Sequence, residues 1–544
     1  MLALFARARG LETATLATDL KKFYEAVRHC NLMEEAWLTR FPLRIARAAC
    51  AIYSCWRTAL WSDMAAPLFQ VLGTIMAGCS LATTLAKVLL LRTLTRPELN
   101  GPGMSPRNIV DDVIVQAVGS EAGVIEKLGR AGLFLFAQYD ARGLLLEGKK
   151  SNFLASSQGL SDGLAEQWAA RGIKRKHCMR NVGTDAYLDQ RRRMPTAKKR
   201  LQEGKRRSGK VQWLRKMGAK VGQVQRASPT AQSLWGAAVH GLRPTERRGL
   251  QTRAINAAKG PKRGAALNLR VQQSSVTARN DPEYLYHGMV VQAWCEAVWT
   301  GQPKLGILEA VLEQARLDLQ GGRDPWQAAA GPPHVFLLTA EELGWTVLNA
   351  FTLRMRDGTL FDLRKTSPRL LSKMAVEAAK VEGAKADLRR RGVAEAGWVQ
   401  AEGPGSAGIF WQELQGGERN LKAAAMPVRE AAALSSVQCM AHWTQQRLFD
   451  HGKAEDPKCK LCLKEPGTLF HRRFKCQATE EHRRAEMPEW LRALANQAAE
   501  KEPQLGELFV AGFSYSLRPG SEAGAQPGWQ GQVDQQAGLR QSVW

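Results

Sequence analysis

The spacing of hydrophobic positions changes several times along the chain. Apolar residues recur at three- and four-residue intervals over Lys21–Ala36, Leu43–Leu60 and Ala82–Leu94, which predicts helices with one buried face. Short apolar runs such as Asn108–Val115 read as strands, and their alternation with helical patterns over residues 1–160 predicts an α+β unit. Helical spacing returns with aromatics over Pro282–Leu319 (Tyr284, Tyr286, Trp294, Trp299) and again over Lys365–Arg391. Thr346–Leu353 and Thr359–Leu363 flank an Arg-Asp-Gly turn and read as strands. Residues 320–334 and 403–408 are rich in Gly or Pro and read as linkers. The Gly-, Gln- and Ser-rich tail after about Ser514 reads as disordered.

Composition narrows the class. Of 544 residues, 44% are hydrophobic, enough for real cores. Lys and Arg number 77 against 51 Asp and Glu, a net charge of +26 that favours polyanionic partners, with nucleic acid first and an anionic membrane surface as the rival. The excess is concentrated. Between Arg171 and Lys220 eighteen Lys and Arg face only Asp185, Asp189 and Glu203. Arg191, Arg192, Arg193, Lys198, Lys199, Arg200, Lys205, Arg206 and Arg207 form three basic triplets, with Trp213 just beyond. Such a run neutralises phosphates and releases counterions. It also suits a solvated helix face or a nuclear-localisation patch.

Ten cysteines in so long a chain are too sparse for a disulfide scaffold and point to a reducing compartment, cytoplasm or nucleus. The apolar start, Met1–Gly10, is broken by Arg7 and Arg9 and is too short for a secretory signal. No charge falls between Asp63 and Lys87. However, Gln70, Gly73, Thr74, Gly78, Ser80, Thr83 and Thr84 favour a buried loop followed by a helix over a membrane span.

Two constellations carry chemistry. Cys459, Cys462, His471 and Cys476 stand as C-x2-C-x8-H-x4-C, three thiolates and an imidazole that satisfy a tetrahedral Zn²⁺ in a closed, structural site. Lys458, Lys460, Arg472, Arg473 and Lys475 place positive charge beside it, and Trp443 and Phe470 read as packing for its small core. The second constellation is acidic. Asp111 and Asp112 are adjacent inside an apolar run, and Asp19 opens the run Thr18-Asp-Leu-Lys-Lys-Phe-Tyr-Glu25. Burying paired carboxylates is costly without a cation, and a hairpin tip presenting them to divalent metal resolves the conflict. Two Mg²⁺ ions about 4 Å apart, held by carboxylates, serve nucleotidyl transfer. The plainer alternative makes Asp111-Asp112 a turn and Asp19 a helix cap.

The order of these segments resembles the reverse transcriptases of non-LTR retrotransposons over about residues 10–190. Asp19-Leu-Lys-Lys-Phe-Tyr-Glu25 resembles the first catalytic motif and Thr74-Ile-Met-Ala-Gly-Cys-Ser-Leu-Ala-Thr83 the second. Ile109-Val-Asp-Asp112 resembles the aromatic-x-Asp-Asp box, and Leu144–Phe153 the Lys-Ser segment after it. Arg180-Asn-Val-Gly-Thr184 is similar to the short turn that follows the palm, and the Cys/His segment to the zinc-binding segment downstream.

The resemblance implies a polymerase palm over 1–165, lacking most of the fingers, in an RNA-directed DNA polymerase that uses Mg²⁺ or Mn²⁺, dNTPs, an RNA template and a DNA primer. A mainly helical, thumb-like basic region follows over 166–260, an unassigned stretch over 261–430, a zinc knuckle over 431–485 and a tail over 486–544. Asp19 and Asp111 would hold the metals with Asp112 in support. Tyr24 would lie under the incoming sugar, Gly78 against nucleotide or template, and Lys149 or Lys150 at the phosphates. Three departures accompany the likeness. Ala77 stands where the family has Gln, Ile109 replaces the aromatic, and only 18 residues precede Asp19. On this reading the chain is an N-terminally truncated copy. The alternative is a nucleic-acid-binding protein that keeps the palm shape without the activity.

Overall fold

The computed structural model describes residues 1–58, 60–62, 64–71, 73–181, 184–188, 194–260, 264–272, 280–321, 324–390, 443–468 and 470–487, together with 436, 441, 489, 492 and 493. Arg191, Arg192 and Arg193, the Gly-rich stretch 403–408 and the tail beyond 493 lie outside the described residues. The chain is mixed α and β and divides into two compact units. One comprises Met1–Lys198, Val239–Gly241 and Thr300–Val335; the other holds Lys199–Ala238, Leu242–Trp299 and Phe336–Trp544. Among the described residues no helix is long and apolar enough to cross a membrane.

The first unit is built on a five-stranded sheet. Its strands are β1 (Glu12–Thr18), β2 (Met104–Ile109), β3 (Asp112–Gly119), β4 (Asn152–Ala155) and β5 (Lys174–Arg175), in the order β2-β3-β1-β4-β5. All neighbours are antiparallel except β4 and β5. The central strand β1 buries Thr13, Ala14, Thr15, Leu16 and Thr18. Its small and β-branched residues fit a crowded pleat.

Helix Glu121–Ala141 packs on this sheet and carries helix Gln158–Trp168 on its flank. The close approach depends on Gly132, where a Cβ would meet the Trp168 indole at 2.7 Å. Trp168 is then buried edge-on to Phe136 and Phe153. Gly103, at φ +79°, begins the return of the chain into β2. A Cβ there would strike the Val118 carbonyl of β3, and the backbone favours glycine in any case.

Several segments differ from the hydrophobic pattern. The single helix expected over Lys21–Ala36 is two, Phe23–Ala26 and His29–Leu38, separated by the extended Val27, whose carbonyl accepts the Thr74 N–H. The uncharged stretch after Asp63 is not a buried loop at its start. Leu60–Trp61 pairs with Met64–Ala65, and Trp56–Arg57 with Phe69–Gln70, leaving Trp56, Leu60, Met64, Leu68 and Phe69 exposed because no layer covers these short ribbons. Burial begins at Ile75 and continues into helix Ala82–Leu94. The stretch 320–334 is structured rather than a linker. Asp324 caps a short helix, Trp326 is buried, and helix Pro332–Glu342 begins within it. Also in this unit, helix Leu2–Ala8 packs on helix Leu305–Gln320, where Arg7 and the buried His334 both contact Asp318.

The second unit is mainly helical. The helices starting at Pro244, Pro282, Pro368, Pro332 and Pro195, the last two crossing the boundary of the units, each open on proline, whose missing N–H costs nothing at that position. Its core stacks Trp294 on Phe336 at 5.2 Å and buries Arg247 between Glu283 and Glu342 at 3.1 and 2.7 Å. The Thr346–Asn349, Thr352–Arg354 and Leu360–Asp362 strands form a small meander; the single strand expected over Thr346–Leu353 is two, and the Arg-Asp-Gly turn joins the second to the third.

Two consequences are measurable. The buried Asp185 carboxylate accepts the Thr196 and Ala197 N–H groups at 3.1 and 3.0 Å, at the start of helix Pro195–Lys216. Asp185→Ala leaves those donors unmet, and we expect it to cost about 1–2 kcal/mol in urea unfolding. The second concerns Asp281, buried at the start of helix Pro282–Thr300. Desolvation, and then the nearby Glu283, push its carboxyl up to about 8. The unfolded chain releases that proton near pH 4, so the folded chain holds it across the interval and stability falls as pH rises from about 4 to 8. Asp281→Asn should flatten that slope in melting curves taken across the window.

Candidate functional site

The acidic cluster is assembled by strand register. Thr18 of β1 pairs with Val113 of β3, so Asp19, just past β1, lies beside Asp112 at the start of β3. β2 and β3 form a hairpin in which Ile109 pairs with Asp112, and Val110 and Asp111 make the turn. Val110 sits at φ +64°, a region that β-branched side chains rarely adopt. The Asn108 amide braces it by donating to the Val110 carbonyl at 3.0 Å. Below the cluster, the Thr18 hydroxyl donates to the Val113 carbonyl at 3.2 Å and lies 3.0 Å from the Tyr139 hydroxyl. Burial and the neighbouring Asp111 hold the Tyr139 phenol up.

Asp111 and Asp112 are both raised. Desolvation raises Asp111, with Asp19 adding to it; desolvation raises Asp112, with Asp111 and then Asp19 adding. Lys150 offsets both, and its ammonium lies 3.3 Å from Asp19 Oδ2, a buried oxygen with no hydrogen bond. Ser151 fixes the other half of that contact. Its hydroxyl accepts the Asp19 N–H at 3.0 Å, and the Asp19 carbonyl accepts the Glu147 N–H. Lys149 is exposed beside it. Tyr24 is half-buried against Phe23, and burial with Asp111 raises its phenol. The loop carrying Gly78 is tied to the same segment, since the Ile75 N–H donates to the Tyr24 carbonyl at 2.9 Å. Gly78 lies exposed at φ +87° with nothing near its Cβ position.

The structure thus gathers Asp19, Asp111, Asp112 and Lys150, with Tyr24 close enough to feel Asp111. Among the described residues, the group of Cys, His or acidic side chains found placed to hold a metal ion is the Cys/His set. Sequence reasoning missed Ser151, Thr18 and Tyr139. Only Ser151 had a signal, as part of the Lys-Ser segment.

Cys459, Cys462, His471 and Cys476 place their ligand atoms within 4.8 Å of one another and could hold a metal such as zinc. Cys459 Sγ lies 3.9 Å from Cys476 Sγ, and Cys462 Sγ lies 3.2 Å from His471 Nε2. A tetrahedron of 2.3 Å Zn–S bonds has edges of about 3.8 Å. The turn that holds the first pair is tight. The Cys459 N–H donates to the Glu465 carbonyl and the Leu463 N–H to the Cys459 carbonyl, with Leu463 at φ +58°. The Lys464 and Glu465 N–H groups, followed by His471 and Cys476, pull the Cys462 thiol down to about 6. Burial pushes Cys476 up.

Glu465, absent from the sequence reading, contacts His471 Nδ1 at 2.9 Å and turns Nε2 toward the thiols, the usual partner arrangement for a metal-bound imidazole. Phe470 is buried beside the centre, whereas Trp443 is half-buried with Arg447 and Lys453 each 4.5 Å from its ring centre. Lys458, Lys460, Arg472 and Lys475 are exposed around it.

The third candidate is the basic helix Pro195–Lys216. Lys198, Lys199, Lys205, Arg206 and Arg207 are exposed along it, whereas Arg200 is half-buried over Trp235 at 5.6 Å.

Elemental analysis of the purified chain should find about one zinc per molecule, and Cys476→Ala should abolish it. Glu465→Ala should retain the metal but weaken its affinity by about 10- to 100-fold in chelator competition. No protein-family model matches the chain, and no curated protein matches it.

Proposed function

We propose that the chain is a retroelement-derived RNA-directed DNA polymerase that joins deoxynucleotides to a primer by two-metal chemistry. The observation that carries this reading is the register of β1 against the β2–β3 hairpin, which delivers Asp19, Asp111 and Asp112 to one end of one sheet. Asp111 and Asp112, both raised by burial and by neighbouring carboxylates, beside an Asp19 oxygen that is buried without a hydrogen bond, are the electrostatic condition that a divalent cation relieves.

On this reading Asp19 and Asp111 hold the metal ions, Mg²⁺ or Mn²⁺, and Asp112 supports them. Tyr24 lies along the sugar of the incoming nucleotide and Gly78 along the strand or base beside it. Lys150, now against Asp19, is placed to move to the phosphates when metal takes its position. Metals supply charge neutralisation at the attacking and leaving oxygens. The residues of the chain supply the carboxylate geometry and the aromatic floor. The sheet and its hairpin serve as a polymerase palm, the basic helix as a thumb-like contact for template and primer, and the Cys/His centre as a zinc knuckle that holds RNA or DNA with its lysines.

A second reading has its own support. Lys150 already answers part of the carboxylates' charge, and Ala77 stands where the family has Gln. These favour a nucleic-acid-binding protein with a palm-like sheet and no turnover.

Incorporation of dNTPs on a primed RNA template, in Mg²⁺ or Mn²⁺, separates the two. The polymerase reading expects incorporation that falls on the order of 100-fold or more in Asp111→Ala/Asp112→Ala. Salt-sensitive RNA binding without incorporation would establish the second reading.

A further inference from the structure

Helix Pro195–Lys216 has two faces of opposite character. Ala197, Gly204, Ser208 and Val211 are buried, and the approach is close. A Cβ on Gly204 would lie 3.1 Å from the Pro229 carbonyl. On the opposite side, at 3.6 residues per turn, Lys199, Arg206, Lys210 and Trp213 fall within an arc of about 60° and span about 21 Å along the axis. All four are exposed. The Trp213 ring is 60% exposed, and Met217, one turn on, is 70% exposed. Gly209, between Lys210 and the buried face, has open space where a Cβ would stand. Glu203 engages Arg206 at 2.8 Å, an exposed pair that a phosphate can displace. The stripe is therefore a row of cations that ends in an aromatic surface.

Cations alone suit any polyanion. The indole narrows the choice, because an aromatic face gains from a nucleobase only if that base is free of its own stack. In a closed duplex the base faces are covered; in a single strand each one is available. We infer that this stripe is a single-strand binding rail, in which Lys199, Arg206 and Lys210 follow successive phosphates and Trp213 stacks an unpaired base at the end. The inference rests on the nucleic-acid reading of the helix and adds to it the strandedness of the ligand and the residue that reads it. Stacking is tolerant of sequence, so the rail does not discriminate among bases.

The test uses the full chain, fluorescence anisotropy and two probes: a labelled oligodeoxythymidylate, and a duplex closed at both ends by hairpin loops sealed by cross-linking. Trp213→Ala and Trp213→Leu should weaken single-strand binding on the order of tenfold and leave the salt dependence and the duplex affinity unchanged, with Trp213→Phe near wild type. Leucine keeps the helix propensity, so a loss shared by Ala and Leu is a loss of the aromatic face. The triple variant Lys199→Gln/Arg206→Gln/Lys210→Gln should instead lower the slope of log affinity against log salt by about 2 on the single strand. Unchanged single-strand affinity in Trp213→Ala, or an equal loss on the duplex, would overturn the stacking role, and a reduced slope in the triple variant would still uphold nucleic-acid binding by the helix. Absence of salt-dependent binding to either probe by the wild type would overturn both.

Discussion

The arrangement of the first unit depends on the pairing of β1 with β3. That pairing runs over seven residues, from Glu12 against Gly119 to Thr18 against Val113. Its register decides what meets at the end of the sheet. A slip of one residue would reverse every side chain of β1, sending Leu16 out of the core and Asp19 away from the hairpin. The core therefore enforces the geometry of the polar end, and Thr18 adds a local clasp where the ladder stops, with its hydroxyl on the Val113 carbonyl and beside Tyr139. The stability of the hydrophobic interior is what holds three like charges together.

Those charges are held against their own preference. Repulsion and desolvation act in the same direction on Asp111 and Asp112; the exposed Lys150 ammonium opposes both, and Arg180 also opposes Asp112. The turn between the strands is strained as well, with a valine where the backbone favours glycine. Strain and unmatched charge at one point of an otherwise well-packed sheet are the combination expected of a site that acts on a ligand. The Cys/His centre shows the opposite economy. Its thiols receive backbone N–H groups, its imidazole is oriented by Glu465, and its four donors lie within 4.8 Å of one another.

How much of this was legible in the sequence varied with the range of the interaction. The zinc-type spacing was readable because all four ligands fall within eighteen residues and the turn geometry is local. The hairpin was readable because two acids interrupt an apolar run at a turn. Helix Ala82–Leu94 emerged with its expected bounds because its apolar spacing is dense. What escaped depended on distant partners. Ser151 matters through Asp19, Asp185 through the start of a helix ten residues on, and Tyr139 through Thr18. The break at Val27 arises because the Thr74 N–H takes its carbonyl, which no local propensity encodes. The Gly- and Pro-rich stretch 320–334 looked like a linker by composition, yet Trp326 and the proline opening of the next helix give it a core to join.

The ion pair between Arg7 and Asp318 has a consequence for the order of events during synthesis. Its partners are 311 residues apart. At 5–20 residues per second, roughly 15 to 60 seconds separate their emergence from the ribosome. Helix Leu2–Ala8 is too short to persist alone. For that interval it can rest on β1 and β3, which it also packs against, but the side that meets helix Leu305–Gln320 has no partner. The sheet can thus close long before helix Leu2–Ala8 has its helical partner, and that helix is among the last elements to complete its environment.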